Sequence, residues 1–137
     1  HDVIGMDMCN FITIIDEQTA NWSRDEANDL MTNWLSSGDE FDAVFGNNDE
    51  MALGAIQAMK ASGISMDDVV VGGVDATSDA LLAMSAGDMD VTVFQDLAGQ
   101  GAGSIQTAMA LANGEEVDKK VFIPFKLVTL ENLADFQ

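Results

Sequence analysis

Short apolar runs alternate with segments of helical periodicity along this 137-residue chain. The runs are strand-sized and continuously apolar, which is typical of strands that helices cover on both faces of a parallel sheet. They lie at residues 11–15, 43–46, 69–74, 91–94 and 121–125. The alternation therefore predicts an α/β protein with a mainly parallel sheet and helices on both faces.

The segments between the runs carry helix start and stop signals. Ser23 to Glu26 match a capping box, in which the hydroxyl and the carboxylate bond to backbone amides at the start of a helix, and Gly38 follows its apolar stripe. Later helices are predicted to end at glycines and to run from about residue 48 to Gly63, 78 to Gly87 and 98 to Gly114. The last of them is predicted to bury Ile105 and Met109.

Residues 1–9 have apolar residues at helical spacing but no cap, which predicts the tail of a helix whose start is missing. The chain also begins with His1 rather than Met, so we expect a mature, cleaved or truncated product.

The charge and the rare residue types exclude several classes of function. Five basic residues face 24 acidic ones, and a net charge of −19 argues against binding to nucleic acid. Cys9 and His1 are the single cysteine and histidine, which leaves no basis for a disulfide, a zinc site or a Ser-His-Asp triad. We therefore predict no catalytic residues, no metal, no cofactor and no enzymatic activity.

Polar side chains follow each of the first four apolar runs. Ligands bind beyond the carboxyl ends of the strands in open parallel sheets, so these positions are candidates for a site. They are Asp16 to Gln18 with Asn21 and Trp22, then Asn47 to Asp49, then Asp75, and finally Gln95 and Asp96. Amides and carboxylates bond to hydroxyls, and an indole stacks on an aliphatic ring, so the set suits a neutral polyhydroxylated ring.

Local roles compete with ligand binding at most of these positions. Either Asn47 or Asn48 can cap the next helix, which leaves the other amide free. Asp49 is better explained as a cap or a partner of the helix dipole. Asp75 can form a cap or an Asx-turn, although Thr77 can cap instead, and Trp22 can act as a hydrophobic staple.

The motifs resemble one known family over nearly the whole chain from Phe11 onward. The segments AVFGNNDEMALGAIQAMKASG, VVVGGVDATSDALLAMSAGDMDVTVFQD and VFIPFKLVT resemble the C-terminal lobe of periplasmic sugar-binding proteins of the ribose-binding type. The segment DEQTANWSRDEANDLMTNWL is most similar to members that bind inositol and related cyclitols. The resemblance implies that Trp22, Asn48, Asp75 and Gln95 bind the ligand.

The resemblance also implies a function for the longer protein. Residues 1–137 would form the C-terminal ligand-binding lobe of a periplasmic solute-binding component of an ABC importer, which closes with an N-terminal lobe on a neutral sugar or cyclitol and docks on a membrane permease. The signal peptide, the N-terminal lobe and the lobe's own first strand are not in this chain, so the fold is expected to be incomplete at its N-terminus. The alternative is the effector-sensing domain of a lactose-repressor-type transcription regulator.

Overall fold

A computed structural model describes residues 11–137, within which four strands alternate with four α-helices. The elements are α1 (Arg24–Ser37), β1 (Ala43–Phe45), α2 (Asp49–Ala61), β2 (Val70–Gly72), α3 (Ser78–Ala86), β3 (Val91–Phe94), α4 (Leu97–Ala112) and β4 (Lys126–Thr129). Single 3₁₀ turns lie at Met66–Asp68 and Leu133–Asp135. The helix tail predicted for residues 1–9 lies outside the described residues. Over residues 11–137, each helix is too short or too polar to cross a bilayer.

The strands form one mixed sheet in the order β1-β2-β3-β4. The pairs β1–β2 and β2–β3 are parallel, and β3–β4 is antiparallel. The predicted α/β class with a mainly parallel sheet is therefore confirmed.

Most helix signals read from the sequence act as expected. Ser23 accepts a hydrogen bond from the backbone N–H of Glu26 and so caps α1. The reciprocal half of the predicted capping box is wrong, because the Ser23 backbone N–H donates to Ala20 O at 2.8 Å and the Glu26 carboxylate accepts from the Asn21 amide. Gly38 and Gly87 end α1 and α3 in the left-handed conformation, with φ of 80° and 78°. A residue with a Cβ is disfavoured there, which explains why glycine marks these ends.

The hydrophobic core lies between the helices and one face of the sheet. Val71 and Val128 are fully buried on that face, and they pack in one cluster with side chains of α1, α2 and α3. Because side chains alternate along a strand, their neighbours point to the other face. Phe45, Val70 and Leu127 are more than half exposed there.

Two predicted strands are wrong. Residues 12–20 form neither helix nor strand, and Phe11 and Ile15 are largely exposed, because no neighbouring strand pairs with this segment. Residues 121–125 are also irregular, and the strand begins at Lys126, two residues after Pro124, whose ring nitrogen cannot donate to a ladder.

The predicted burial of α4 is also wrong. Ile105 and Met109 are both more than 60% exposed. No residue of α4 is buried within the part of the chain that the structure describes. The apolar face of α4 is therefore uncovered in the same way as one face of the sheet.

Candidate functional site at the carboxyl ends of the strands

The structure brings three predicted site residues to neighbouring strand ends. Asn48 follows β1, Asp75 follows β2, and Gln95 follows β3, and these strands are adjacent in the sheet. The backbone N–H of Asp49 donates to the carbonyl of Val74 at 2.8 Å, which joins the first two ends. The backbone N–H of Asp75 donates to the carbonyl of Val93 at 2.9 Å, which joins the second and third ends.

Asp75 and Gln95 are in direct contact. The Gln95 Nε2 amide donates to Asp75 Oδ1 at 2.6 Å, and both residues are half-buried. The bond uses one carboxylate oxygen and orients both side chains with respect to each other. Such a pair presents an acceptor and an amide side by side, which is the arrangement that a vicinal diol can bond to.

Asn48 is the helix cap that one of the two interpretations predicted. Its Oδ1 accepts a hydrogen bond from the backbone N–H of Met51 at 3.0 Å, and the residue is 9% exposed. The side-chain amide nitrogen takes no part in this cap. Capping and ligand binding are therefore compatible at Asn48, and its ligand role stays a prediction.

The turn after β2 is strained. Asp75 and Ala76 have φ of 118° and 54°, in the left-handed region that residues with a Cβ rarely adopt. Strain of this kind persists only where the surroundings hold it, and it concentrates at functional sites. The backbone N–H of Ala76 donates to Thr92 Oγ1 at 3.2 Å, and that of Thr77 donates to Asp49 Oδ2 at 2.7 Å.

Asp49 lies in the first turn of α2, where its interpretation as a partner of the helix dipole placed it, but its side chain also makes bonds that the local pattern did not predict. Its side chain is fully buried, and its Oδ1 accepts a hydrogen bond from Thr92 Oγ1 at 2.6 Å. Burial raises the pKa of the Asp49 carboxyl above its ordinary value of 3.8, against the opposing effect of the hydrogen bonds from Thr92 and Thr77. The local pattern placed Asp49 at the start of α2 but could not predict these bonds, because its partners lie 28 and 43 positions away.

Trp22 lies in a second strained turn near the end of β1. Asn21 and Trp22 have φ of 49° and 57°, and the Asn21 amide holds the turn by donating to Glu26 Oε2 at 2.7 Å. The Trp22 side chain is 71% exposed, which does not fit a hydrophobic staple. It lines a cavity of about 290 Å³ together with Asn47 and Met51. Asp75 and Gln95 do not line this cavity, so the structure does not bring Trp22 into direct contact with them.

Arg24 fixes the helices that surround the site. It donates to both carboxylate oxygens of Glu50 at 2.9 and 2.7 Å and to Asp79 Oδ2 at 2.8 Å. These three residues begin α1, α2 and α3, so one guanidinium joins three helix starts. The hydrogen bonds with Glu50 and then Asp79 raise the pKa of Arg24 well above its usual range. This arginine is therefore committed to structural carboxylates.

Over residues 11–137, no group of three or more histidine, cysteine or acidic side chains is arranged to hold a metal ion. The polar side chains at the strand ends are instead single amides and carboxylates, which are hydrogen-bonded to one another or to the backbone.

The sequence is similar to known proteins along its whole length. A Rhizobium meliloti protein that bears the name rhizopine-binding protein is 64% identical over 137 residues, which are all of this chain and 44% of that protein. A solute-binding protein of an ABC transporter from Bacillus halodurans, solved with bound myo-inositol, is 50% identical with a TM-score of 0.86. That match covers 94% of this chain and 45% of the other.

A third relative has a similar fold and a lower identity. The Caulobacter myo-inositol-binding protein, solved with myo-inositol, is 34% identical with a TM-score of 0.82, over 90% of this chain and 43% of that one. The chain thus spans less than half the length of these relatives. Residues 5–116 match the periplasmic binding protein domain, and the chain belongs to that family.

Proposed function

We propose that this chain forms one ligand-binding lobe of a solute-binding protein of an ABC importer, and that its ligand is a neutral polyol or monosaccharide such as inositol. The observation that carries the proposal is the bonded pair of Asp75 and Gln95 beside Asn48 at three adjacent strand ends. Two of the relatives described above were solved with myo-inositol, which supports a cyclic polyol.

The chemistry of the site favours an uncharged ligand. The Asp75 carboxylate accepts hydrogen bonds from hydroxyls, while the amides of Asn48 and Gln95 bond to hydroxyls as donors and acceptors. The exposed indole of Trp22 offers a flat apolar face for the carbon skeleton of a ring. A phosphate or carboxylate ligand would need a cation, and Arg24 is already bound to two carboxylates.

Besides the ligand, we propose that this lobe contacts another part of the same protein. Phe45, Val70 and Leu127 expose one apolar face of the sheet, and Ile105 and Met109 of α4 are exposed as well. A large exposed apolar surface usually marks an interface. We propose that preceding residues cover this face and add a strand beside β1, and that an N-terminal lobe closes over the ligand.

In this proposal, the permease recognises the form of the protein in which the two lobes have closed around the ligand. The ligand binds at the strand ends, and a conformation closed around it is favoured because the ligand makes contacts with both lobes there. The closed form then docks on the permease of the importer, and the protein works in the periplasm, as the family name implies.

Titration calorimetry of the full-length protein with myo-inositol, ribose, galactose and xylose tests the proposal. We expect saturable binding of at least one of these compounds. Asp75→Ala should weaken that binding by about 1–3 kcal/mol, or about 5- to 150-fold, because it leaves ligand hydroxyls and Gln95 without their acceptor.

Asp67→Ala is the matched control. Asp67 is an exposed aspartate in the 3₁₀ turn before β2, at the opposite end of that strand from Asp75. Its replacement should leave the affinity unchanged. Equal affinities of the parent protein and Asp75→Ala would contradict the proposed site, and no heat with any of the four compounds would contradict the ligand class.

A further inference from the structure

Asp49 is a buried carboxylate for which the proposed ligand chemistry has no use. Its side chain is fully buried behind the strand ends. Within residues 11–137 it accepts hydrogen bonds from the hydroxyl of Thr92 and from Thr77, and neither donor is a cation. A buried charge that is not neutralised costs stability, so a retained one calls for a role.

The bonds of Asp49 lead directly to the strained turn that carries Asp75. Three consecutive backbone N–H groups of this turn, at residues 75, 76 and 77, donate to Val93 O, Thr92 Oγ1 and Asp49 Oδ2. Two of the three acceptors therefore belong to the pair of Asp49 and Thr92. The same two side chains also bond to each other at 2.6 Å.

The carboxylate also determines how the Thr92 hydroxyl is oriented. This hydroxyl has one proton, which it donates to Asp49 Oδ1, and its lone pairs then face the N–H of Ala76. An acceptor that cannot donate, such as a carboxylate, enforces this direction. Asp49 therefore orients the Thr92 hydroxyl, and this hydroxyl in turn holds the backbone N–H of Ala76.

The backbone directly after β2 leaves room for this arrangement. A Cβ on Gly73 would lie 2.5 Å from Asp49 Oδ1 and 2.6 Å from Met89 Cε, which is closer than atoms can approach. Only a glycine at this position lets the carboxylate pass beside the strand to reach Thr77 and Thr92.

We propose that Asp49 and Thr92 are positioning residues for ligand binding, which hold the turn at residues 75–77 with Asp75 and Ala76 in the left-handed region and thereby keep the Asp75 carboxylate against Gln95. The inference rests on the proposed function, in which Asp75 contacts the ligand. Without the two acceptors, the turn relaxes toward ordinary backbone angles, and the Asp75 carboxylate leaves the position in which Gln95 Nε2 donates to it.

Thr92→Val tests the inference in the full-length protein because it keeps the shape of the side chain and removes both hydrogen bonds. With myo-inositol as the probe in calorimetry, we expect affinity to fall about tenfold if the binding-competent turn is then populated in about a tenth of the molecules. Thr92→Ser restores the hydroxyl and should restore the affinity. Asp49→Asn, which keeps an acceptor for Thr77 but can donate to Thr92, should also weaken binding.

Met59→Ala is the control for a merely structural effect. Met59 is fully buried near the end of α2 that is remote from Asp49, so its truncation lowers stability without touching the turn. It should lower the urea midpoint at least as much as Thr92→Val does and leave the affinity for myo-inositol unchanged. An equal loss of affinity in Met59→Ala would overturn the inference.

Amide hydrogen exchange of the ligand-free protein separates this inference from the proposed function. In Thr92→Val the backbone amides of Ala76 and Thr77 should exchange at least about tenfold faster than in the parent. In Met59→Ala the ratio of their exchange rates to those of core amides should be the same as in the parent. Unchanged exchange and affinity in Thr92→Val, with binding still weakened in Asp75→Ala, would overturn the inference alone. Unchanged binding in Asp75→Ala would overturn the proposed site and the inference together.

Discussion

Gly54 lies in the middle of α2, where the backbone of α1 approaches it closely. A Cβ at this position would collide with the carbonyl oxygen of Arg24 and stand 3.1 Å from the Cβ of Ala27. The Gly54 carbonyl also accepts a hydrogen bond from the Asn28 amide of α1 at 3.2 Å. Gly54→Ala is therefore a test of whether the contact between α1 and α2 holds the lobe together.

One gain and two costs set the expected change in stability. Alanine favours a helix interior over glycine by about 1 kcal/mol. Overpacking costs typically about 1–3 kcal/mol, and the upper end applies here because the colliding atom belongs to the backbone and cannot change rotamer. Moving α1 outward also weakens the hydrogen bond from Asn28, at about 1 kcal/mol. The cost exceeds the gain, and we expect a net loss of about 3 kcal/mol.

Gly101→Ala is the matched control, because it makes the same chemical change in a helix without the contact. Gly101 lies within α4, is exposed, and has no atom within 4 Å of an added Cβ. It should stabilise the protein by about 0.5–1 kcal/mol. Urea unfolding of the ligand-free full-length protein, followed by circular dichroism, measures both variants. A Gly54→Ala protein as stable as Gly101→Ala would refute the proposed close packing of α1 on α2.

Three further changes test other parts of the structure. Arg24→Gln should lower the free energy of unfolding by no more than about 1 kcal/mol for each lost ion pair, and less in 1 M salt, because Glu50 and Asp79 are 42% and 60% exposed. The folded-state pKa of Asp49 is raised, so the contribution of this carboxyl to the free energy of unfolding is fully present below pH 3.8 and is lost as the pH rises through the raised value. Urea unfolding as a function of pH should show this loss in the parent protein and not in Asp49→Asn. Val70→Glu should cost several kcal/mol in the full-length protein if preceding residues cover the exposed sheet face, whereas a change within about 0.5 kcal/mol would show that this face stays in water.

The class of the fold and the positions of its helices follow from signals within short stretches of the sequence. Caps such as Ser23 and terminal glycines such as Gly38 act within one helical turn, so their signals can be read locally. The alternation of apolar runs and helices likewise predicted a mainly parallel sheet. The rule for ligand positions in such sheets placed Asn48, Asp75 and Gln95 among its candidates, and the resemblance to sugar-binding proteins selected them. The structure confirms that these three lie at neighbouring strand ends.

Contacts between distant segments determine which apolar runs become strands and what the acidic residues do. The run at residues 11–15 has the composition of a strand but no neighbour to pair with, and pairing is a property of two segments. Asp49 has the local pattern of a helix start, yet its bonds reach Thr77 and Thr92, 28 and 43 positions away. Asp75 meets Gln95 across 20 positions for the same reason. Contacts between distant segments depend on how the sheet brings strand ends together, and no window of neighbouring residues contains that information.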